Sequence, residues 1–368
     1  MDPDTLRAAM PALEGGVYLN TGASGPSPEP VVESVTDFLA YHEFESPTGE
    51  GMYPAAWDEL AAARETVAAF LGAVPHEVAL TRSTADGINL LAAALDLGPE
   101  DVVVRTDLEH SAGWLPWERL ADSRGVTVRV LETEAGRLSM EDVKDAAADA
   151  SLFVLSSITW SHGTRLPVET VVDIAHDAGA RVLVDAVQSP GQVPVDVNSW
   201  GADFVAGAGH KWLLGVWGAG FLYVDEDAMD SLSFERIGYR SVSEMDDPEY
   251  TYHEGARRLE VGTTSPLPYV GLATAIDTIE SVGLGTIQDR IERLTDRLKD
   301  GVEADRLLSP RGYESGLVTI DADDPEATVE RLQERGVFVR SLPFPDAVRA
   351  SIHAFNTAED IDALLEGL

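Results

Sequence analysis

Between residues 77 and 225, short apolar runs alternate with helical periodicity. That alternation restricts the fold more than any other property of the chain. Strand candidates fall at 77–81, 101–106, 127–131, 151–158, 181–185, 204–206 and 220–224. Helix candidates at 85–95, 112–124, 139–148 and 169–178 lie between them, with Pro116 placed near the start of the second. Only a loop joins the last two strands. Runs such as Val102-Val103-Val104 and Val182-Leu183-Val184 are apolar on both faces. A sheet built from them is covered on both sides, and crossover helices make its strands mostly parallel. The expectation is a doubly wound α/β domain. After about residue 225 the pattern changes. The acidic stretch Asp246-Asp247-Pro248-Glu249 precedes a helical region over 266–302, broken near 283–285. Strand candidates at 317–321, 337–341 and 348–354, with helices near 325–335 and 357–365, read as a smaller α+β C-terminal unit. The expected division is a large domain over 30–225 and a small one formed by 1–29 with 226–368.

Charge narrows the function classes. The net charge of −38 repels phosphate backbones and anionic lipid, which argues against nucleic-acid and membrane partners. The acid is spread along the chain and arginine replaces most lysine, a pattern suited to concentrated salt, where self-repulsion is screened. A halophilic source is therefore expected. No apolar run reaches the roughly 20 residues that cross a bilayer, and Met1-Asp2-Pro3-Asp4 does not resemble an export signal, so a cytoplasmic protein is expected. There is no cysteine, hence no disulfide, thiolate ligand or thiol nucleophile. The eight histidines lack close ligand spacing, and no metal site is expected.

Four residue groups carry chemistry. Lys211, one of three lysines with Lys144 and Lys299, sits in Ala206-Gly207-Ala208-Gly209-His210-Lys211-Trp212. An amine desolvated among small and aromatic residues becomes nucleophilic, as Schiff-base chemistry requires; a lysine snorkelling from a loop fits the segment equally well. Asp185 ends a strand, at the carboxyl edge where ligands of parallel sheets bind, or else caps the next turn. Thr81-Arg82-Ser83-Thr84-Ala85-Asp86-Gly87 joins a strand to a helix, a place for an anion or simply for a helix cap. His110 would share the same sheet edge, where a flat ring can stack on a planar cofactor.

Together these residues give the chain a resemblance to the class V aminotransferase and cysteine desulfurase superfamily, pyridoxal-phosphate enzymes of fold type I. The resemblance runs from Tyr18-Leu19-Asn20-Thr21-Gly22 to Phe355-Asn356-Thr357-Ala358-Glu359-Asp360. Its most specific blocks are Val184-Asp185-Ala186-Val187-Gln188-Ser189, Gly209-His210-Lys211-Trp212, Glu109-His110-Ser111 with Pro116-Trp117, and Glu260-Val261-Gly262-Thr263. It implies that Lys211 holds pyridoxal 5'-phosphate covalently. Asp185 would pair with the pyridine nitrogen, Gln188 with the ring hydroxyl, and His110 would stack on the ring. Thr84 and the N–H of Ala85 would hold the phosphate, with His210 nearby. Thr263 would reach the phosphate of a neighbouring subunit, which implies a homodimer. Arg349 resembles the clamp for a substrate α-carboxylate.

The chain also departs from the family. Trp160 stands where many relatives have an asparagine, and Ala208 where a serine is usual. Desulfurases carry a mobile cysteine between the positions of Arg340 and Arg349; here the connection is Ser341-Leu342-Pro343-Phe344-Pro345-Asp346-Ala347-Val348, short and thiol-free. Persulfide formation on the enzyme needs a thiolate, so ordinary desulfurase chemistry is not expected. The expected substrate is a small amino acid, with Lys211 as the base at Cα. Transamination is placed first, because Arg340 offers a second carboxylate contact. A cysteine-free C–S lyase and an amino-acid epimerase are the alternatives. A scaffold role would need none of these residues, and a nicotinamide dehydrogenase would need a G-x-G-x-x-G turn that is absent in the right context.

Overall fold

The structure, a computed structural model, describes residues 1–246 and 248–368; Asp247 of the acidic stretch lies outside the described residues. The N-terminal segment contributes helix α1 (Pro3–Ala8) and strand β1 (Val17–Tyr18), followed by the long helices α2 (Glu29–Phe44) and α3 (Met52–Leu71). The alternating region then begins. Its strands are β2 (Val78–Thr81), β3 (Val102–Thr106), β4 (Thr127–Leu131), β5 (Leu152–Ser156), β6 (Arg181–Asp185), β7 (Phe204–Ala208) and β8 (Gly220–Val224). Between them run α4 (Thr84–Ala94), α5 (Ser111–Arg124), α6 (Met140–Ala147), α7 (Val168–Asp177) and the single turn α8 (Val197–Trp200).

These strands form one seven-stranded sheet in the order β2-β8-β7-β6-β5-β3-β4. Pairs from β4 through β7 are parallel, and β8 runs antiparallel to both β7 and β2. The sheet is mostly parallel, as the apolar runs predict. Strands β5 to β8 are buried almost throughout, because hydrophobic clusters cover both faces. Pro116 is the one local surprise. It lies inside α5 rather than near its start, after a first turn capped by His110, whose Nδ1 accepts the Ala112 N–H at 3.2 Å.

Beyond β8, the pair β9 (Val242–Asp246) and β10 (Glu249–Tyr252) precedes α9 (Leu267–Val282) and α10 (Leu284–Gly301). The break between these helices is at Gly283, whose φ of 87° suits only glycine well. The sheet of the smaller unit holds β11 (Leu317–Ile320), while α11 (Pro325–Glu334), β12 (Val337–Phe338), β13 (Arg340–Pro343), β14 (Asp346–Ser351) and α12 (Ala358–Leu365) complete the chain. Its sheet order is β11-β14-β13, antiparallel throughout, and β1 pairs with β12. The packing does not divide at residue 225. Helix α9 packs on α2 and α3, and its Tyr269, Leu272, Ile276 and Ile279 join the core of the large unit, whereas Leu294 and Leu298 of α10 join the small one.

Candidate active site

The carboxyl ends of the parallel strands and the inner edge of the small sheet enclose a cavity of about 220 Å³. The loop after β3 brings His110, the loop after β5 brings Trp160, β6 ends at Asp185, and the loop after β7 brings His210 and Lys211. Thr84 and Ala85 open α4, Gly22 and Ala23 come from the N-terminal segment, and Arg340 and Arg349 face each other in register across β13 and β14. Lys211, Asp185, Gln188, His110, Thr84, Ala85, His210, Arg340 and Arg349 all line the cavity; of the residues given a cofactor or substrate role by the resemblance, only Thr263 does not. That residue lines a separate cavity with Arg82 and Asp86, where its hydroxyl bonds Tyr239.

Electrostatics at the centre follow from burial. Lys211 is pushed down to about 8, first by burial; the Asp185 carboxylate opposes the shift, and Arg349 and Arg340 add to it. Asp185 is 3% exposed, and burial raises its carboxyl above the usual range against the Val187 N–H, which donates to Oδ1 at 3.0 Å, and the Lys211 charge. The His110 ring opens to the cavity, yet the surrounding protein desolvates it. Lys211, Arg340 and Arg349 add repulsion, bringing it to about 4, so it is neutral near pH 7. With Nδ1 accepting the Ala112 N–H, the proton sits on Nε2. The Trp160 indole stands edge-on to His110, ring centres 5.4 Å apart, so it packs on this ring.

Several polar atoms lie buried with no partner among the described residues, and they indicate what the cavity fits. Thr84 Oγ1 is one, at the first turn of α4, where the N–H groups of Thr84 and Ala85 have no intrahelical acceptor. An oxyanion there would satisfy all three. The Arg349 side chain is 1% exposed; Nη1 donates to the Trp160 carbonyl at 2.7 Å, while Nε and Nη2 have no acceptor. That is half of a fork awaiting a carboxylate. Gln188 is fixed at both ends: Nε2 donates to the Gly22 carbonyl at 3.0 Å and Oε1 accepts the Trp212 indole N–H at 2.7 Å. One Nε2 proton remains for a ligand. Ala208 is buried and offers no hydroxyl to an anion.

Glu109 belongs to a sequence block of the resemblance but carries no role there. It is 5% exposed, and Oε1 accepts Thr106 Oγ1 at 2.7 Å and the Ser156 N–H at 2.9 Å, while Ser156 Oγ donates to Oε2 at 2.7 Å. These bonds tie the His110 loop to β5 beside Asp185, since Ser156 and Asp185 are register partners. Burial raises Glu109 to about 7, the Ser156 and Thr106 bonds oppose this, and Asp185 adds to it. Its signal in the sequence is a carboxylate just beyond the end of an apolar strand.

A planar, phosphorylated, amine-reactive cofactor fits this arrangement of lysine, acid, flat ring and anion cup. The fold and site define a pyridoxal-phosphate enzyme of fold type I. The chain belongs to the class V aminotransferase family, whose sequence model matches residues 17–364. It is similar to a probable cysteine desulfurase of Methanothermobacter thermautotrophicus, 34% identical and covering 100% of this chain and 98% of that one. A solved apo cysteine desulfurase from Thermococcus onnurineus superposes with a TM-score of 0.92 at 28% identity, covering 100% of this chain and 97% of that chain. The cystine C–S lyase C-DES, solved with its product cysteine persulfide, superposes with a TM-score of 0.90 at 26% identity, covering 97% and 98%. A lysine-to-alanine variant of C-DES carries glycine covalently linked to the pyridoxal-phosphate cofactor. These relatives are named for C–S chemistry, which moves the weight from transamination, the first expectation, to the lyase alternative.

Proposed function

We propose that this chain is a thiol-independent C–S lyase acting on a β-sulfur-substituted amino acid of the cystine type. One observation carries the reading: a chain similar to desulfurases throughout has no cysteine, and a tight hairpin at Phe344-Pro345 between β13 and β14 replaces the segment that holds the thiol. With no acceptor on the protein, sulfur must depart on the substrate's own leaving group.

Each residue of the cavity has a share of the work. Arg349 binds the α-carboxylate through its free Nε and Nη2, and Arg340 lies close enough to meet a second carboxylate. Asp185 would face the pyridine nitrogen of pyridoxal phosphate, His110 would cover its ring, Gln188 would donate to its ring hydroxyl, and Thr84 with the first turn of α4 would hold its phosphate. Bound there, pyridoxal phosphate supplies an electron sink for the pair left at Cα. Lys211, an amine that burial brings to about 8, would take the Cα proton. The Cβ–S bond then breaks, and both its electrons leave on sulfur. For cystine the balance is cystine plus water giving pyruvate, ammonia and cysteine persulfide. A persulfide is a good leaving group, so no strong acid is needed beside the sulfur. Thr263, outside the cavity of its own chain, is assigned to the phosphate of the second subunit in a homodimer.

The test is product analysis of the holoenzyme with cystine, and separately with an amino acid plus a 2-oxo acid. Pyruvate, ammonia and persulfide in equal amounts support the lyase. A new amino acid formed without ammonia would establish transamination instead.

A further inference from the structure

Away from the catalytic cavity, the chain gathers its scarce positive charge at one place. Glu260 is held between two buried arginines: Arg64 Nη1 lies 2.7 Å from Oε1 and Arg240 Nη2 3.1 Å from Oε2, and the Leu80 N–H also donates to Oε1 at 3.0 Å. Arg257, in the 3-10 turn Gly255–Leu259, brings a third guanidinium to the cluster. Three cations thus share one carboxylate whose oxygens are already taken.

Among the described residues the surplus has no neutralising partner. Arg64 and Arg240 are 8% and 5% exposed, and the buried Nε atoms of Arg240 and Arg257 have no acceptor. Arg257 makes no ion pair among the described residues. Its guanidinium is held below the ordinary range first by burial and then by Arg240 and Arg64, with the pull of Glu260 the smallest influence. The same arginines bear on His253, which burial and then Arg257 and Arg240 depress. Arg64 and Arg257 line a cavity of about 570 Å³, shared with His76 and His253; the carboxylates that line it, Glu65 and Glu254, are exposed and pair with neither arginine. A half-buried guanidinium with no anionic partner, packed beside two buried ones, is unfavourable unless an anion reaches it.

We propose that this cavity binds an oxyanion of the sulfate, phosphate or small-carboxylate type, held by the forked guanidinium of Arg257 with Arg64 behind it. The fork matches two oxygens at once, which favours an oxyanion over a halide. Attraction has to be local, since a chain of net charge −38 repels anions at a distance.

The experiment uses the holoenzyme, so that the cofactor's phosphate fills the cup at Thr84. The thermal midpoint is followed as sodium sulfate or inorganic phosphate is added, against sodium chloride at matched ionic strength. The oxyanions should raise the midpoint saturably, by about 2 °C or more at a hundred times the dissociation constant, beyond the chloride response. Arg257→Gln should cut that excess to whatever the catalytic cavity alone contributes. Arg340 and Arg349 can also meet an oxyanion, but that background is common to both proteins. Without oxyanion, Arg257→Gln should be at least as stable as the wild type, because it relieves repulsion. Labelled sulfate should bind at one equivalent more per chain in the wild type than in the variant. Equal oxyanion responses in the two proteins would overturn the proposal. So would an Arg257→Gln chain that fails to fold, which would make Arg257 structural. Weakened self-association in the variant, with no oxyanion response in the wild type, would assign the cluster to a carboxylate of a second copy and equally overturn it.

Discussion

At the scale of single residues, Lys211 and Arg349 are cationic groups largely stripped of water, Arg349 buried outright and Lys211 half-buried at the cavity wall. Lys211 must be neutral to attack a carbonyl, and burial supplies that condition near pH 8 rather than near 10.5. The rate at which the apoprotein captures pyridoxal phosphate should therefore rise with pH up to about 8 and level above it. Below that value the amine is protonated and the rate should fall about tenfold per pH unit. Stopped-flow absorbance across pH 6 to 10 checks this, with Lys211→Arg as the control that captures nothing; a midpoint near 10 would mean that the amine is solvated. Arg349 makes the opposite trade. Its buried charge lacks a carboxylate, and burial, then Arg340, holds it far below its ordinary pKa. Arg349→Met should stabilise the apoprotein by about 1 kcal/mol or more, as replacement of a buried ion by an apolar side chain does elsewhere. It should also lower kcat/KM by about 100-fold, the loss of a forked contact to carboxylate. Urea denaturation and steady-state kinetics on the same preparation test the two halves. A variant that loses stability along with activity would show that the bond to Trp160 outweighs the buried charge.

Elements fix where these residues stand, and here the sequence is legible to different depths. The parallel sheet can be read because strands buried on both faces must be apolar throughout, and Asp185 because a carboxylate at the carboxyl end of such a run stands at the edge where ligands bind, even though it also accepts the Val187 N–H of the next turn. Pro116 lies deeper in its helix than expected because His110 caps that helix through its ring, a device that residue preferences do not reveal. Helix α9 reads in sequence as part of the C-terminal unit, since periodicity records that a face is buried but not against which neighbour. Glu109 shows no role in the sequence because its three donors, from Thr106 and Ser156, lie on separate parts of the chain. Contacts between loops are equally hidden. The Lys211 loop is wedged between two glycines: a Cβ on Gly25 would fall 2.3 Å from the Lys211 carbonyl oxygen, and one on Gly191, whose φ is +98°, 2.2 Å from that of Trp212. Gly25→Ala should therefore cost about 1–3 kcal/mol of stability. It should also raise the cofactor concentration for half-saturation several-fold, because the loop that moves is the one bearing Lys211. Gly98→Ala, where a Cβ meets nothing within 4 Å, is the matched control. Equal cofactor retention in the two variants would show that the loop yields without disturbing the site.

For the whole molecule, charge decides the conditions under which these loops and cavities persist. Sixty-four acidic side chains face twenty-six basic ones, so thirty-eight carboxylates lack a basic partner even if every base is paired. Added salt weakens the exposed ion pairs, such as Arg297 with Asp362, but those are worth little each. It also screens repulsion among the unpaired carboxylates, and these outnumber the bases. The second effect should win, and stability should increase with sodium chloride. The distance dependence gives the shape of the curve. The screening length is about 10 Å at 0.1 M and about 3 Å at 1 M. Most of the gain should accordingly arrive below about 1 M, after which neighbouring charges are already hidden from one another. Thermal midpoints in sodium chloride, compared with sucrose at equal water activity, separate screening from exclusion of solute from the surface, because sucrose carries no charge. A midpoint that ignores chloride but climbs with sucrose would mean that the acidic surface is tolerated by the fold rather than balanced by salt.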